Sequence, residues 1–208
     1  RVRALFFFFN QMTAYELLRR LVGSEMCIRD RRKRFTAYSV YDPDQRSWAP
    51  WKSMVMPDVP KFFNAGAGCT QRVDLPNGDI LLPIYFKAEG ETQNAAAVAR
   101  CSFDGETLSY VEHGDELTIA VQRGFVEPSL AFCNGRYFLT LRNDEAGYVT
   151  SGSDGLHFGE PVMWRFDDGE ELGNYNTQQH WVVHNDALFL AVSYTHIRAP
   201  ETPEHLVF

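Results

Sequence analysis

The sequence predicts an all-β fold, an incomplete β-propeller, and three observations predict it. A tight polar turn opens an apolar run three times, at Asn77-Gly78, Asn134-Gly135 and Asn185-Asp186. The spacing is 57 residues from Gly78 to Gly135 and 51 from Gly135 to Asp186. A second turn follows each of the first two runs, at Asp104-Gly105 and Asp154-Gly155, 50 residues apart. Two different turn signals recurring in step make a repeat, and a repeat of this length built from short strands points to propeller blades. The third observation is negative. Between residues 35 and 192 Gly, Asn, Asp and Pro punctuate the chain at short intervals, and no stretch carries a helical period.

Taken in order, strands are expected over 36–40, 69–73, 79–86, 95–103, 108–112, 117–121, 128–133, 136–142, 147–151, 162–166, 180–184 and 187–192. At four strands per blade these make about three blades, where a closed propeller has at least four. Within the Asp-Gly turns the Asp carboxylate can accept hydrogen bonds from the turn's own N–H groups. Gly supplies a positive φ, and the apolar residue that closes the turn, Leu108 or Phe158, anchors it. A looser copy, Asp42-Pro43-Asp44-Gln45-Arg46-Ser47-Trp48, places Asp44 60 residues before Asp104. These Asp residues are structural.

Composition supports a packed core and narrows the partners. The 208 residues are 45% hydrophobic and 14% aromatic, which is far from a disordered composition. Net charge is −7 overall, but residues 35–192 hold 10 basic and 22 acidic side chains. Such a surface repels phosphate backbones and argues against nucleic acid as a partner. No apolar run approaches the roughly 20 residues a membrane-spanning helix needs. The cysteines are Cys27, Cys69, Cys101 and Cys133, without the short spacing of a zinc site. On strands they read as small apolar residues. Neither a metal nor a cofactor is expected.

The two ends differ from the middle. Phe6 to Asn10 with Val22 to Arg31, and Val192 to His196 with Glu201 to Val207, resemble translated sequencing-adapter DNA found at the ends of unrelated metagenomic gene predictions. Residues 1–34 and 193–208 are therefore expected to be non-native segments around a partial propeller of 35–192. Within the first, Thr13 and Glu16 have capping-box spacing. Ala14, Leu17, Leu18, Leu21 and Val22 share one face of a possible helix.

The chemistry concentrates between Glu127 and Arg142. Glu127 lies eight residues before Gly135 and Arg142 seven after it, so a hairpin turning at Asn134-Gly135 brings both to one rim. Tyr85 is likewise seven residues after Gly78 and is expected on the same side as Arg142. Taken alone, Glu127 and Arg142 could be a surface ion pair of little consequence.

The segment resembles sialidases over roughly residues 64–192. The Asp-Gly turns resemble the Asp-box of the neuraminidase (BNR) repeats. Gly66-Ala67-Gly68 stands ahead of an Asn-Gly strand ending in Leu82-Pro83-Ile84-Tyr85, and a Glu opens one strand with an Arg one hairpin later. The resemblance implies a sialidase-type propeller and a glycoside hydrolase that removes terminal sialic acid or a related acidic sugar. It implies a carbohydrate partner and a bacterial, secreted or periplasmic parent protein. Glu127 would polarise a Tyr nucleophile, and Arg142 would be one arginine of a clamp on the sugar carboxylate. A neutral Tyr avoids the repulsion that a carboxylate nucleophile would meet at an anionic sugar. Planar Arg forks suit a planar carboxylate. Tyr175 precedes a blade start, as the nucleophile does in the family, although Asn176 stands where the family has Ser. Gln178 and His180 follow it as candidate lining of the sugar pocket, and Gln71 and Arg72 hold the matching rim position in the first repeat. The family's acid/base Asp and further clamp Arg have no counterpart here, so the chain as it stands is expected to be inactive. The alternatives are a glycan-binding propeller without catalysis, and a propeller glycosidase working with two carboxylates.

Overall fold

The computed structural model describes residues 5–9, 34–172 and 177–192, and their order is almost wholly β. In the first sheet, β1 (Leu5–Phe9) pairs antiparallel with β2 (Thr36–Asp42). The latter also pairs with β3 (Ser47–Trp48) and β4 (Lys52–Ser53). A 3-10 turn over Pro60–Phe62 leads to the second sheet, β5 (Asn64–Gly66), β6 (Val73–Asp74), β7 (Ile80–Lys87), β8 (Ala95–Phe103) and β9 (Leu108–His113). Its order is β5-β7-β8-β9, with β6 also on β7. The third sheet is an up-and-down meander of β10 (Val126–Cys133), β11 (Arg136–Arg142), β12 (Gly147–Gly152) and β13 (Val162–Met163). The last is the hairpin β14 (Gln179–His184) with β15 (Ala187–Val192). Consecutive antiparallel sheets, each joined to the next in chain order, are blades of an incomplete propeller.

Three clusters of apolar side chains lie between the four sheets, one at each junction. The alternation of side chains along β7 explains how one strand serves two of them. Ile80, Leu82, Ile84 and Phe86 face the first sheet with Tyr38, Met54 and Phe62. Leu81 faces the third with Phe125, Leu130, Leu139 and Leu141. Covered on both faces, β7 is buried from Ile80 to Phe86 and reads as a continuous apolar run. Each such side chain contributes about 1.5–3 kcal/mol of burial. The third cluster packs Trp164 against Trp181, rings 5.5 Å apart and tilted by 55°. Beyond it the last hairpin leaves Val182, Val183 and Phe189 exposed.

The turns carry the predicted chemistry. Asp104 Oδ1 accepts the N–H groups of Glu106 and Thr107 at 2.9 and 2.7 Å, and Asp154 Oδ1 those of Leu156 and His157 at 2.9 and 2.8 Å. The looser copy repeats this two residues earlier than expected. Asp42, not Asp44, takes the Asp44 and Gln45 N–H groups at 2.9 and 3.2 Å. Asn134 and Gly135 both have positive φ, 48° and 76°, which matches the twist of a two-residue hairpin. Asn185-Asp186 reaches the same conformation, at 47° and 62°, without glycine.

Among the described residues the strands form four sheets of two to five strands each. One strand expectation needs correction. Residues 117–121 form no strand; Leu117 makes a single bridge to Ala96. In the N-terminal stretch, Leu5–Phe9 pairs with β2. A Phe run has high strand preference, and an uncovered edge accepts it. The expected helix over 14–22 lies outside the described residues.

Candidate functional site

The rim of the third sheet is built by a break in its ladder. Val126 pairs with Arg142 and Ser129 with Thr140, leaving Glu127 and Pro128 in a bulge between them. Pro128 has no N–H to donate, so a position outside the ladder suits it. Glu127 adopts φ +48°, a left-handed conformation that costs a non-glycine residue energy and is often found where function constrains the backbone. Its side chain turns to Arg142, whose Nη1 donates to Glu127 Oε2 at 2.5 Å. The pair is largely buried, the Arg142 side chain 9% exposed and the Glu127 side chain 17%.

The loops that frame this pair are tied down by buried amides. Asn143, fully buried, donates to the carbonyls of Val121 and Gly124 at 3.0 and 2.9 Å and accepts the Glu145 N–H. Asn94 donates through its side chain to the Arg123 carbonyl at 2.9 Å. Gly124 has φ +76°, and a Cβ there would stand 2.2 Å from the Asn94 carbonyl oxygen, so only glycine fits. Arg123 Nε lies 2.9 Å from both oxygens of Asp144, and Asp144 lies 3.9 Å from Arg142 Nη2.

The charge of Glu127 reaches side chains from three other segments. Tyr85, buried on β7, has its hydroxyl pushed well above the ordinary range by burial and then by Glu127. Cys69, in a turn at φ +59°, has its thiol raised by burial and Glu127 and drawn back by Arg142. His180, half-buried on β14, has its pKa lowered by burial while Glu127 opposes the shift. Its Nδ1 lies 3.1 Å from Ser129 Oγ. Glu127, Arg142, Tyr85 and His180 thus share one electrostatic neighbourhood.

Other candidates stand differently. Arg72 is engaged with Asp74, at 2.7 Å from Nε and 3.3 Å from Nη2. The amide of Gln71 is engaged with the backbone of Trp181. Gln178 is exposed, and Tyr175 lies outside the described residues. Sequence reasoning overlooked Cys69, read as a strand residue although it occupies a turn, and the supports Asn94, Arg123, Asn143 and Asp144. Asn143-Asp144 directly after Arg142 offered a signal; Asn94 and Arg123 offered none. Cys101 and Cys133 are buried strand residues as expected. Among the described residues no cluster of His, Cys, Asp or Glu could hold a metal ion, and no helix is long and apolar enough to cross a membrane.

No family model and no curated protein matches the chain. Among solved structures it is similar to a Hadza microbial sialidase, at 18% identity and a TM-score of 0.49, over 72% of this chain and 28% of that one. It is also similar to the Trypanosoma rangeli sialidase in complex with the inhibitor DANA, at 14% identity and a TM-score of 0.49, over 90% of this chain and 31% of that one. The chain spans less than a third of the length of either. At such identities and scores the likeness concerns the fold and carries no activity across.

Proposed function

We propose that the chain forms part of a glycoside hydrolase of the sialidase class, acting on terminal sialic acid or a related acidic sugar. The observation that carries this reading is the Glu127–Arg142 pair, held at a bulge at positive φ within electrostatic reach of Tyr85 and His180. Arg142, largely buried beside Glu127, would receive a sugar carboxylate in a low-dielectric rim, where a fork-shaped cation binds it well. Glu127 would then accept the phenolic proton of a Tyr as the Tyr oxygen bonds to the anomeric carbon and the glycosidic C–O bond breaks, the departing aglycone oxygen taking a proton from a general acid or water. Tyr175 is the proposed nucleophile. The two-carboxylate alternative needs a second free acid near Glu127. The nearby Asp144 is committed through both oxygens to Arg123.

The test separates binding from turnover. The chain should show saturation transfer to the methyl glycoside of N-acetylneuraminate and none to a neutral methyl galactoside. Arg142→Ala should abolish that transfer. In a protein carrying the complete propeller, Glu127→Gln should retain binding and lower kcat by a factor on the order of 10²–10³. Equal binding of the neutral sugar, or binding unaffected by Arg142→Ala, overturns the assignment.

A further inference from the structure

Gln71 precedes β6 yet reaches a strand 110 residues further along the chain. Its Nε2 donates to the Trp181 carbonyl at 3.0 Å, and its Oε1 accepts the Trp181 N–H at 2.7 Å. A primary amide that exchanges both bonds with one residue reproduces the close pair of an antiparallel ladder. The backbone of Gln71 is bound on its other side. Its carbonyl accepts the Leu130 N–H at 2.9 Å, and it bridges Ser129 in parallel. Two further contacts of β14 meet at Ser129. Trp181 Nε1 donates to the Ser129 carbonyl at 3.0 Å, and Ser129 Oγ meets His180 Nδ1. Thr140 Oγ1, on β11, adds a bond to Gln179 at 3.0 Å. Gln71 thus ties the segment before β6 to two further sheets, to the third through its backbone and to the last hairpin through its side chain.

We propose that Gln71 is a positioning residue, a surrogate strand that seats β14 against β10 and so holds the His180 ring against Ser129, at the end of the Glu127 bulge. This deepens the glycosidase reading and rests on it for its functional meaning. It also changes the expected part of Gln71, from contact with substrate to placement of a neighbour. The chemistry demands an amide of this length. Asn is one methylene short, and Ala makes neither bond. An ionised Glu can accept from the Trp181 N–H but opposes the Trp181 carbonyl with a like partial charge. Protonated Glu regains the donor.

The experiment follows the Trp181 indole proton and the His180 ring by NMR in the full chain, with β8 amides as the control for global opening. In Gln71→Ala, indole exchange should quicken about tenfold, as expected for two lost neutral hydrogen bonds. His180 should titrate closer to its ordinary value of 6.5, with β8 unchanged. If neither probe moves, or both move only together with β8, the proposal is overturned. Should Gln71→Ala not fold, Gln71→Glu decides. Its indole exchange, compared with the parent chain at the same pH, should differ strongly at pH 7 and little at about pH 3.5, below the carboxyl's usual pKa near 4.3. An equal difference at both pH values overturns the proposal. No arm requires a sugar. A chain that ignores the sialoside while passing these tests refutes the proposed function and leaves the seating of β14 standing; the reverse result does the opposite.

Discussion

The hairpin of β10 and β11 has two unlike ends. At the Asn134-Gly135 end, two residues with positive φ close the strands, and the turn is exposed. Asn134 Nδ2 reaches the Asp186 carbonyl of the next hairpin at 2.9 Å, a contact between two surface turns. At the open end the ladder breaks, Glu127 takes a positive φ that its side chain does not favour, and an ion pair is largely buried. The first end follows from local preference, since Asn-Gly adopts this turn at little cost. The second persists because Asn94, Gly124 and Asn143 hold the surrounding loops in place. Strain maintained by distant partners is the condition under which a site can be pre-organised.

Breaking the rim should have the largest effect. In a complete propeller Arg142→Ala should cost sialoside turnover a factor on the order of 10²–10³. The same change in this chain should lower its stability by about 3 kcal/mol, because it strands the Glu127 carboxylate in a poorly hydrated place. Urea unfolding measures that loss, and Glu127→Gln combined with Arg142→Met should recover part of it. A cost no greater than that of an exposed pair would make the two ends of the hairpin alike. The 208-residue chain by itself should turn over no fluorogenic sialoside, since members of a cooperating catalytic set fail together. Measurable hydrolysis by the purified chain would show that the described rim needs no further blade.

Gly124→Ala comes next. The added methyl meets the Asn94 carbonyl at a left-handed φ, and about 2 kcal/mol should be lost. The companion change Gly135→Ala meets nothing within 4 Å, so its cost should come from φ alone and be smaller. Denaturation midpoints that rank the two the other way would contradict the contrast between rim and turn.

The smallest effect belongs to the Asp154 turn and shows as pH dependence. Partial burial acts to raise the Asp154 carboxyl, but hydrogen bonds from His157 and Leu156 outweigh it and hold it at about 2. A depressed acid stabilises fully above its unfolded value of 3.8, and that contribution fades as pH falls toward about 2. His157 is raised by its bond to Asp154, so its share is complete below 6.5 and is lost as pH rises through the folded value. The amide shifts of Leu156 and His157 should report both limits, and Asp154→Asn should flatten them.

Much of the fold was legible because it is written locally. The 50-residue interval between Asp104 and Asp154, the Asn-Gly turn and the apolar alternation of β7 each depend on neighbours in sequence. The same locality explains why Glu127 and Arg142 could be brought to one rim in advance from a two-residue turn, although the bulge shifts the ladder so that Val126 is the strand partner of Arg142. It explains the errors as well. Residues 117–121 have strand composition, but only Leu117 finds a partner. In the Asp42 turn two carboxylates stand two residues apart, and geometry chose the earlier one.

What the sequence determined by itself is therefore the all-β character, the repeat, the turns and the hairpin that brings Glu127 to Arg142. Only the tertiary structure decided that Tyr85, Cys69 and His180 feel the Glu127 charge, and that the Gln71 amide bonds the Trp181 backbone. The physical reason is range. Backbone preference and side-chain alternation act within a strand or a turn, whereas desolvation and charge are properties of whatever segments happen to share a volume, and these segments come together only when the sheets pack.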